Sequence, residues 1–256
     1  MLLPRDCSSQ VASSSLARRE RRGHEKRTFE TDVHALTCVV APEVALGAAE
    51  DYTKPVRNGQ LKVLASPLNC LCSKLLRQNL REDQRGSLTR PSGLQVTLDI
   101  GVVDVTTCEP MPNVMVEVWS PNALGTYGST FLRGAFTSAT NGVAEFQTIY
   151  PGRTSNGANH INLMIHTSDS MFGTVSHVGQ VFFTDRWNEV VQMTSPYNQN
   201  TNPVILNSQD LNYATANSEG YNAVMDIQSI HDDWPEGVIA YITVGVNPQR
   251  KVEVPQ

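Results

Sequence analysis

From residue 94 onward the chain is a series of short runs in which β-branched and other apolar residues alternate with polar ones. The runs are LQVTLDIGVVDV (94–105), VMVEVWS (114–120), GVAEFQTIY (142–150), HINLMIH (160–166), VGQVFFT (178–184), YNAVMDIQSI (221–230) and GVIAYITVGV (237–246). A period of two puts every second side chain on one face of a strand, and the separators EPMPN, ATNG and WPEG carry turn chemistry. No long amphipathic helix interrupts these runs. Strands without crossover helices bury their apolar faces by packing sheet on sheet, so the predicted fold class is all-β, an antiparallel two-sheet β-sandwich.

Residues 92–250 are expected to form this sandwich, and 256 residues of which 40% are hydrophobic suffice for one good core. Residues 1–91 differ in texture. They hold helix formers, charge and the unpatterned stretch GAAEDYTKPVRNGQLKVLASPLNCLCSK (47–74), which predicts an irregular, partly helical N-terminal extension. Residues 185–220, rich in Asn, Gln and Ser, read as a long surface excursion.

Charge excludes some partners. From Ser92 onward there are 5 Lys/Arg against 15 Asp/Glu, 5 − 15 = −10, and the first 91 residues contribute 15 − 10 = +5, which sums to the net −5. An acidic body lacks the clustered Lys and Arg that phosphate binding needs, so no nucleic-acid partner is expected. The run ARRERRGHEKR (17–27) mixes signs and reads as a solvated helix. No apolar run approaches the roughly 18–20 residues that span a bilayer, so no membrane partner is expected either. The N-terminus MLLPRDCSSQ lacks the apolar stretch of a secretory signal, which places the chain as written in the cytoplasm; it would be secreted if a signal-bearing N-terminus preceded it. The five cysteines, Cys7, Cys38, Cys70, Cys72 and Cys108, are odd in number and irregular in spacing, so no disulfide framework is expected. The Cys70-Leu71-Cys72 pair lacks the spacing of a zinc knuckle.

Chemistry can be sought on the run HINLMIH. In an extended strand His160, Asn162, Met164 and His166 share one face, while Ile161, Leu163 and Ile165 face the core. His160 and Asn162 stand about 6.6 Å apart along the strand, within reach of one ion, whereas His166 is about 20 Å from His160. His166, His177 and His231 have no acidic or histidine partner at metal spacing and read as structural. There is no G-x-S-x-G elbow, no H-E-x-x-H and no phosphate-binding loop. The residues by themselves support a β-sandwich with one polar strand.

The ordered series NLREDQ (79–84), DVTTCEPMPNVMVEVW (104–119), NALGTYG (122–128), FLRG (131–134), NGVAEFQTIYPG (141–152), HINLMIH (160–166), GQVFF (179–183), GYNAVMDI (220–227) and GVIAYITVGV (237–246) resembles the intradiol ring-cleavage dioxygenases. It is most similar to the fungal branch related to catechol and hydroxyquinol dioxygenases, over roughly residues 76–247. The resemblance implies a non-haem Fe(3+) held by two tyrosinates, two histidines and a hydroxide. It also implies a small aromatic diol as substrate, dioxygen as co-substrate, and a muconate-type diacid as product. Hard anionic oxygen donors suit a ferric ion.

Position by position, the resemblance places the first tyrosine ligand at Tyr127, the axial tyrosine at Thr154, the axial histidine at His160 and the second histidine at Asn162. The family's arginine falls on Gly157, with Arg153 able to serve on a shifted loop, and its glutamine is Gln180. Arg153 and Gln180 are therefore the candidate catalytic residues, and Tyr127, Thr154, His160 and Asn162 the candidate metal positions. Two of these four carry the family's donor types. Tyr150 reads as a core or rim aromatic. The family's PEVxEGPYY segment begins as PEVALG (42–47) and dissolves into 47–74, as it would in a decayed paralogue or with a translated intron; its TDxNG turn reads SATNG (138–142), and the loop from Tyr127 to Phe131 is short. Two functions follow from the resemblance: an iron-dependent ring-cleaving enzyme, or a catalytically impaired relative that binds an aromatic. Family members pair through N-terminal helices, so a homodimer is the assembly implied, although those helices look disrupted in this sequence.

Overall fold

In the computed structural model the described residues are 7–21, 78–81, 92–128, 131–218, 220–230 and 236–252. The stretch 47–74, Cys38, Cys70, Cys72 and His231 lie outside them. Among the described residues eight strands form two four-stranded sheets. The first has the order β4(Val143–Ile149), β1(Gln95–Asp104), β8(Val238–Val246), β7(Asp226–Ser229). The second has the order β3(Arg133–Thr137), β2(Met115–Trp119), β5(His160–His166), β6(Val175–Phe182). The expected sandwich is present.

The core lies between the sheets because alternation delivers it there. Val96, Leu98, Ile100 and Val102 of β1 and Val238, Ala240, Ile242 and Val244 of β8 meet Val116 and Val118 of β2 and Ile161, Leu163 and Ile165 of β5. One pair departs from the expected antiparallel pattern: β1 and β8 run parallel, from Val96↔Val238 to Asp104↔Val246. They are the two inner strands of their sheet, and their buried outer faces explain why both read as near-continuous apolar runs. The run 221–230 is divided between the sheets. Met225 N donates to Phe182 O and Phe182 N to Ala223 O on the second sheet, whereas Asp226–Ser229 pair with β8 on the first. Strand β3 was not among the expected runs, since RGAFT has no alternation. The turn before β4 uses Gly142 at φ +75°, where a Cβ would stand 2.8 Å from Val102 O.

Two expectations need correction. Residues 185–220, read as a long surface excursion, hold regular structure among the described residues. They form α2(Asp185–Gln192), capped by the Thr184 hydroxyl on Trp187 N, and α3(Leu211–Ala216), capped by Asp210 on Asn212 N and Tyr213 N. The second correction concerns sulfur: Cys7 and Cys108 are joined by a disulfide across 101 residues of sequence. An odd count at irregular spacing gave no sign of which two would pair.

The disulfide begins α1(Ser8–Arg21), a helix laid on the outer face of the first sheet. Further along it, the buried Arg18 donates to Asp99 at 2.7 Å and to the Thr243 hydroxyl at 2.7 Å, and Arg19 pairs with Asp226. The guanidinium fits because position 101 is glycine; a Cβ there would stand 2.7 Å from Arg18 Nη1. None of the described helices is long and apolar enough to cross a membrane.

His177 bears out the structural reading given to it, at a cost. It pairs with Ile165 across the β5–β6 ladder and so faces inward. It is fully buried, and among the described residues neither ring nitrogen meets a hydrogen-bond partner. Burial lowers its pKa to about 3, the Gly245 backbone works in the opposite direction, and Arg250 lowers it further. The unfolded chain takes up this proton below about pH 6.5. The folded chain does so only near pH 3. Stability is therefore complete above pH 6.5 and falls with acidification through that window, by about 1.4 kcal/mol per pH unit from this group. His177→Leu is expected to remove that slope and to raise stability at pH 7. Urea melts of both proteins at several pH values test this, and parallel pH curves would refute it.

Candidate functional site

Three strands set a polar row on the outward face of the second sheet. Asn162 of β5 lies opposite Gln180 of β6 and opposite Trp119 of β2, and His160 opens β5 two residues earlier on the same face. The loop after β2 brings Tyr127 over this row. Asn122 Oδ1 accepts from Leu124 N and Thr126 N, both at 3.0 Å, and Arg133 Nε donates to Gly128 O at 3.0 Å, so the tyrosine is held from both sides. Its ring packs against the cluster of Trp119, Met164, Val175 and Val178.

Four of the six candidate residues meet here in a closed circuit of hydrogen bonds. Asn162 Nδ2 donates to the Tyr127 hydroxyl at 3.1 Å, and Gln180 Nε2 donates to Asn162 Oδ1 at 3.1 Å. Gln180 Nε2 also approaches His160 Nε2 at 3.3 Å, and the Tyr127 hydroxyl lies 3.2 Å from the same nitrogen. The other ring nitrogen, Nδ1, sits 2.7 Å from Ala158 O. A carbonyl only accepts, so the proton is on Nδ1 and the Nε2 lone pair faces Tyr127. His160, Asn162 and Gln180 are 3%, 0% and 1% exposed, and Tyr127 is half-buried at the rim.

Arg153 and Thr154 are held elsewhere. Arg153 Nη2 donates to Asn200 O at 2.5 Å, and its own carbonyl accepts from Asn200 and Asn202. The Thr154 hydroxyl accepts from Asn156 N at 3.5 Å, within its own loop. Tyr150 is a core aromatic, as expected: its hydroxyl donates to Asn188 at 2.6 Å, and its pKa is raised well above the ordinary value by burial. His166 does have an acidic neighbour, contrary to the sequence reading, for its Nε2 lies 3.3 Å from Glu117 Oε2; both are buried on the outward face of the same sheet.

Some site residues were not foreseen. Asp210 Oδ2 accepts Ala158 N–H at 2.7 Å, and Tyr213 stands edge-on to Phe182, whose ring lies 5.9 Å from that of His160. The Tyr213 pKa is raised by burial first and by Asp185 second. Asp210 carried a signal, an N-cap aspartate before a helix-forming stretch, within a segment read as loop. Arg133 sat inside the FLRG motif without a role.

The donor set decides how well a ferric ion fits. Two donors each about 2.0–2.2 Å from one ion and at right angles stand about 3 Å apart, so the Tyr127 oxygen and His160 Nε2 could hold neighbouring positions. The remaining positions disagree. Asn162 and Thr154 are neutral, and Asn162 already spends its amide on Tyr127 and Gln180. One phenol is the only group in the set that can become anionic. The residues present do not make a ferric centre of the expected kind.

No protein-family model matches the chain, and no curated protein does. Solved structures do. An intradiol ring-cleavage dioxygenase from Tetranychus urticae is similar with a TM-score of 0.63 and 23% identity, covering 84% of this chain and 98% of that one. A second dioxygenase crystal structure is similar with a TM-score of 0.63 and 22% identity, covering 83% of this chain and 96% of its own. The likeness runs nearly the full length of those proteins, and it establishes that this chain has the fold of the intradiol ring-cleavage dioxygenases.

Proposed function

We propose that the chain is an intradiol-dioxygenase-like protein whose iron centre has been dismantled. It binds catechol-type or polyphenolic aromatic diols at Tyr127, His160, Asn162 and Gln180 without efficient ring cleavage. The observation that carries this reading is the Asn162 carboxamide, which stands where the resemblance places a histidine ligand and ties the Tyr127 hydroxyl to Gln180. Residues that merely orient metal ligands are worth about 10–100-fold in metal affinity, and two ligands themselves differ here. A pair of adjacent hydroxyls would have to exchange with the hydrogen bonds of this circuit, entering at the half-buried Tyr127 hydroxyl beside the Trp119 cluster.

A second reading, a slow iron-dependent dioxygenase, draws on the 3.2 Å Tyr127–His160 pair and the unprotonated Nε2. Purified protein loaded with ferric salt separates the two. The first reading expects sub-stoichiometric iron, no visible tyrosinate charge-transfer band, no oxygen uptake with a catechol panel, and a raised melting temperature with some of those diols. Stoichiometric iron with colour and oxygen uptake would establish the second reading instead. Protein that no diol stabilises would remove the binding role. The Cys7–Cys108 bond further supports a secreted or otherwise oxidising location over the cytoplasm.

A further inference from the structure

Asp210 stands outside the circuit but is joined to it through one residue. Its Oδ1 caps α3, accepting from Asn212 N at 2.7 Å and Tyr213 N at 3.1 Å. Its Oδ2 accepts Ala158 N–H at 2.7 Å. The carbonyl of the same Ala158 accepts the Nδ1 proton of His160, also at 2.7 Å. Asp210 is buried, 8% exposed, so its carboxylate depends on these contacts. Its place exists because position 157 is glycine: a Cβ there would stand 2.7 Å from Asp210 Oδ2 and 3.9 Å from His160 Cε1.

We infer that Asp210 is the positioning residue of the site: by clamping Ala158 it presents the carbonyl that keeps the His160 proton on Nδ1 and turns the Nε2 lone pair toward Tyr127. The clamp also accounts for Gly157. Where the resemblance implies an arginine, this chain has given the space to a carboxylate arriving from α3. The inference rests on the reading of Tyr127 and His160 as the functional site, but its test uses neither iron nor a diol, so either idea can fail alone.

The test is the His160 tautomer, read from ring-nitrogen chemical shifts of histidine-labelled protein near pH 8, where an ordinary imidazole is neutral. The His160→Gln spectrum supplies the assignment. Wild-type protein is expected to carry the proton on Nδ1 and a bare Nε2, with an Ala158 amide that exchanges slowly. Asp210→Ser keeps an oxygen to cap α3 but has none left for Ala158, and Gly157→Ala pushes the carboxylate away. Both are expected to move the tautomer ratio about fivefold toward Nε2–H, the worth of one hydrogen bond, while Asp210→Glu restores part of it. A purely structural Asp210 would change the melting temperature and leave the ratio alone. An unchanged ratio in the folded variants overturns the inference, and so does a wild-type spectrum with the proton on Nε2, which needs no variant.

Discussion

Cys7→Ser is expected to lower the stability of the folded chain by about 3–5 kcal/mol. The bond closes a loop across 101 residues, and much of its effect lies in the unfolded chain, which loses freedom when its ends are joined. Denaturant melts should therefore show a lower midpoint together with a steeper slope, because the uncrosslinked unfolded state exposes more surface. The folded state should change little. Arg18, paired with Asp99 and Thr243 under the same helix, and Arg19, paired with Asp226, hold α1 on the sheet without help from sulfur. Reductant should reproduce the loss in the wild type and do nothing further to Cys7→Ser. A variant within 0.5 kcal/mol of the wild type, on the scale of ordinary surface substitutions, would mean that the bond does not form in the native protein. The case for an oxidising location would then go with it.

What the sequence made legible was whatever rests on local alternation. HINLMIH marks β5 to the residue because both of its faces are buried, one by the sandwich core and one by the Trp119–Met164 layer. The same two-residue period put His160 and Asn162 side by side, and the GQVFF run brought Gln180 opposite them. Features fixed by distant contacts were not legible. The parallel pairing of β1 with β8 joins segments on either side of the whole domain, and nothing in GVIAYITVGV states its direction. Cys7 and Cys108 are brought together by where α1 comes to rest, across 101 residues of sequence. Asp210 looked like one more polar residue in an Asn-rich stretch, since its partner Ala158 lies 52 positions away. Thr154 is marked by the motif alone, on a loop whose neighbours Arg153 and Ala158 are tied to Asn200, Asn202 and Asp210.

That contrast between strand and loop shapes what rebuilding the metal site should do. The double variant Asn162→His with Thr154→Tyr is expected to bind ferric iron at least about 100-fold more tightly than the wild type and to become visibly coloured, since it regains one imidazole and one phenolate. The two substitutions should not contribute equally. Position 162 is set by ladder hydrogen bonds on both sides of β5, opposite Trp119 and Gln180, so an imidazole there starts two residues from His160 on the correct face. Position 154 follows Arg153, which is anchored to Asn200 and Asn202, and precedes a stretch clamped at Ala158 by Asp210. A tyrosine on that loop must wait for the loop to shift. Asn162→His alone should therefore recover most of the iron affinity but little of the colour added by a second tyrosinate, and Thr154→Tyr alone should recover almost none of either. Iron titration and visible spectra of the three variants separate these contributions. If the single Thr154→Tyr protein proves the better binder, the loop rather than the strand carries the missing ligand, and the circuit around Asn162 is not what keeps the metal out.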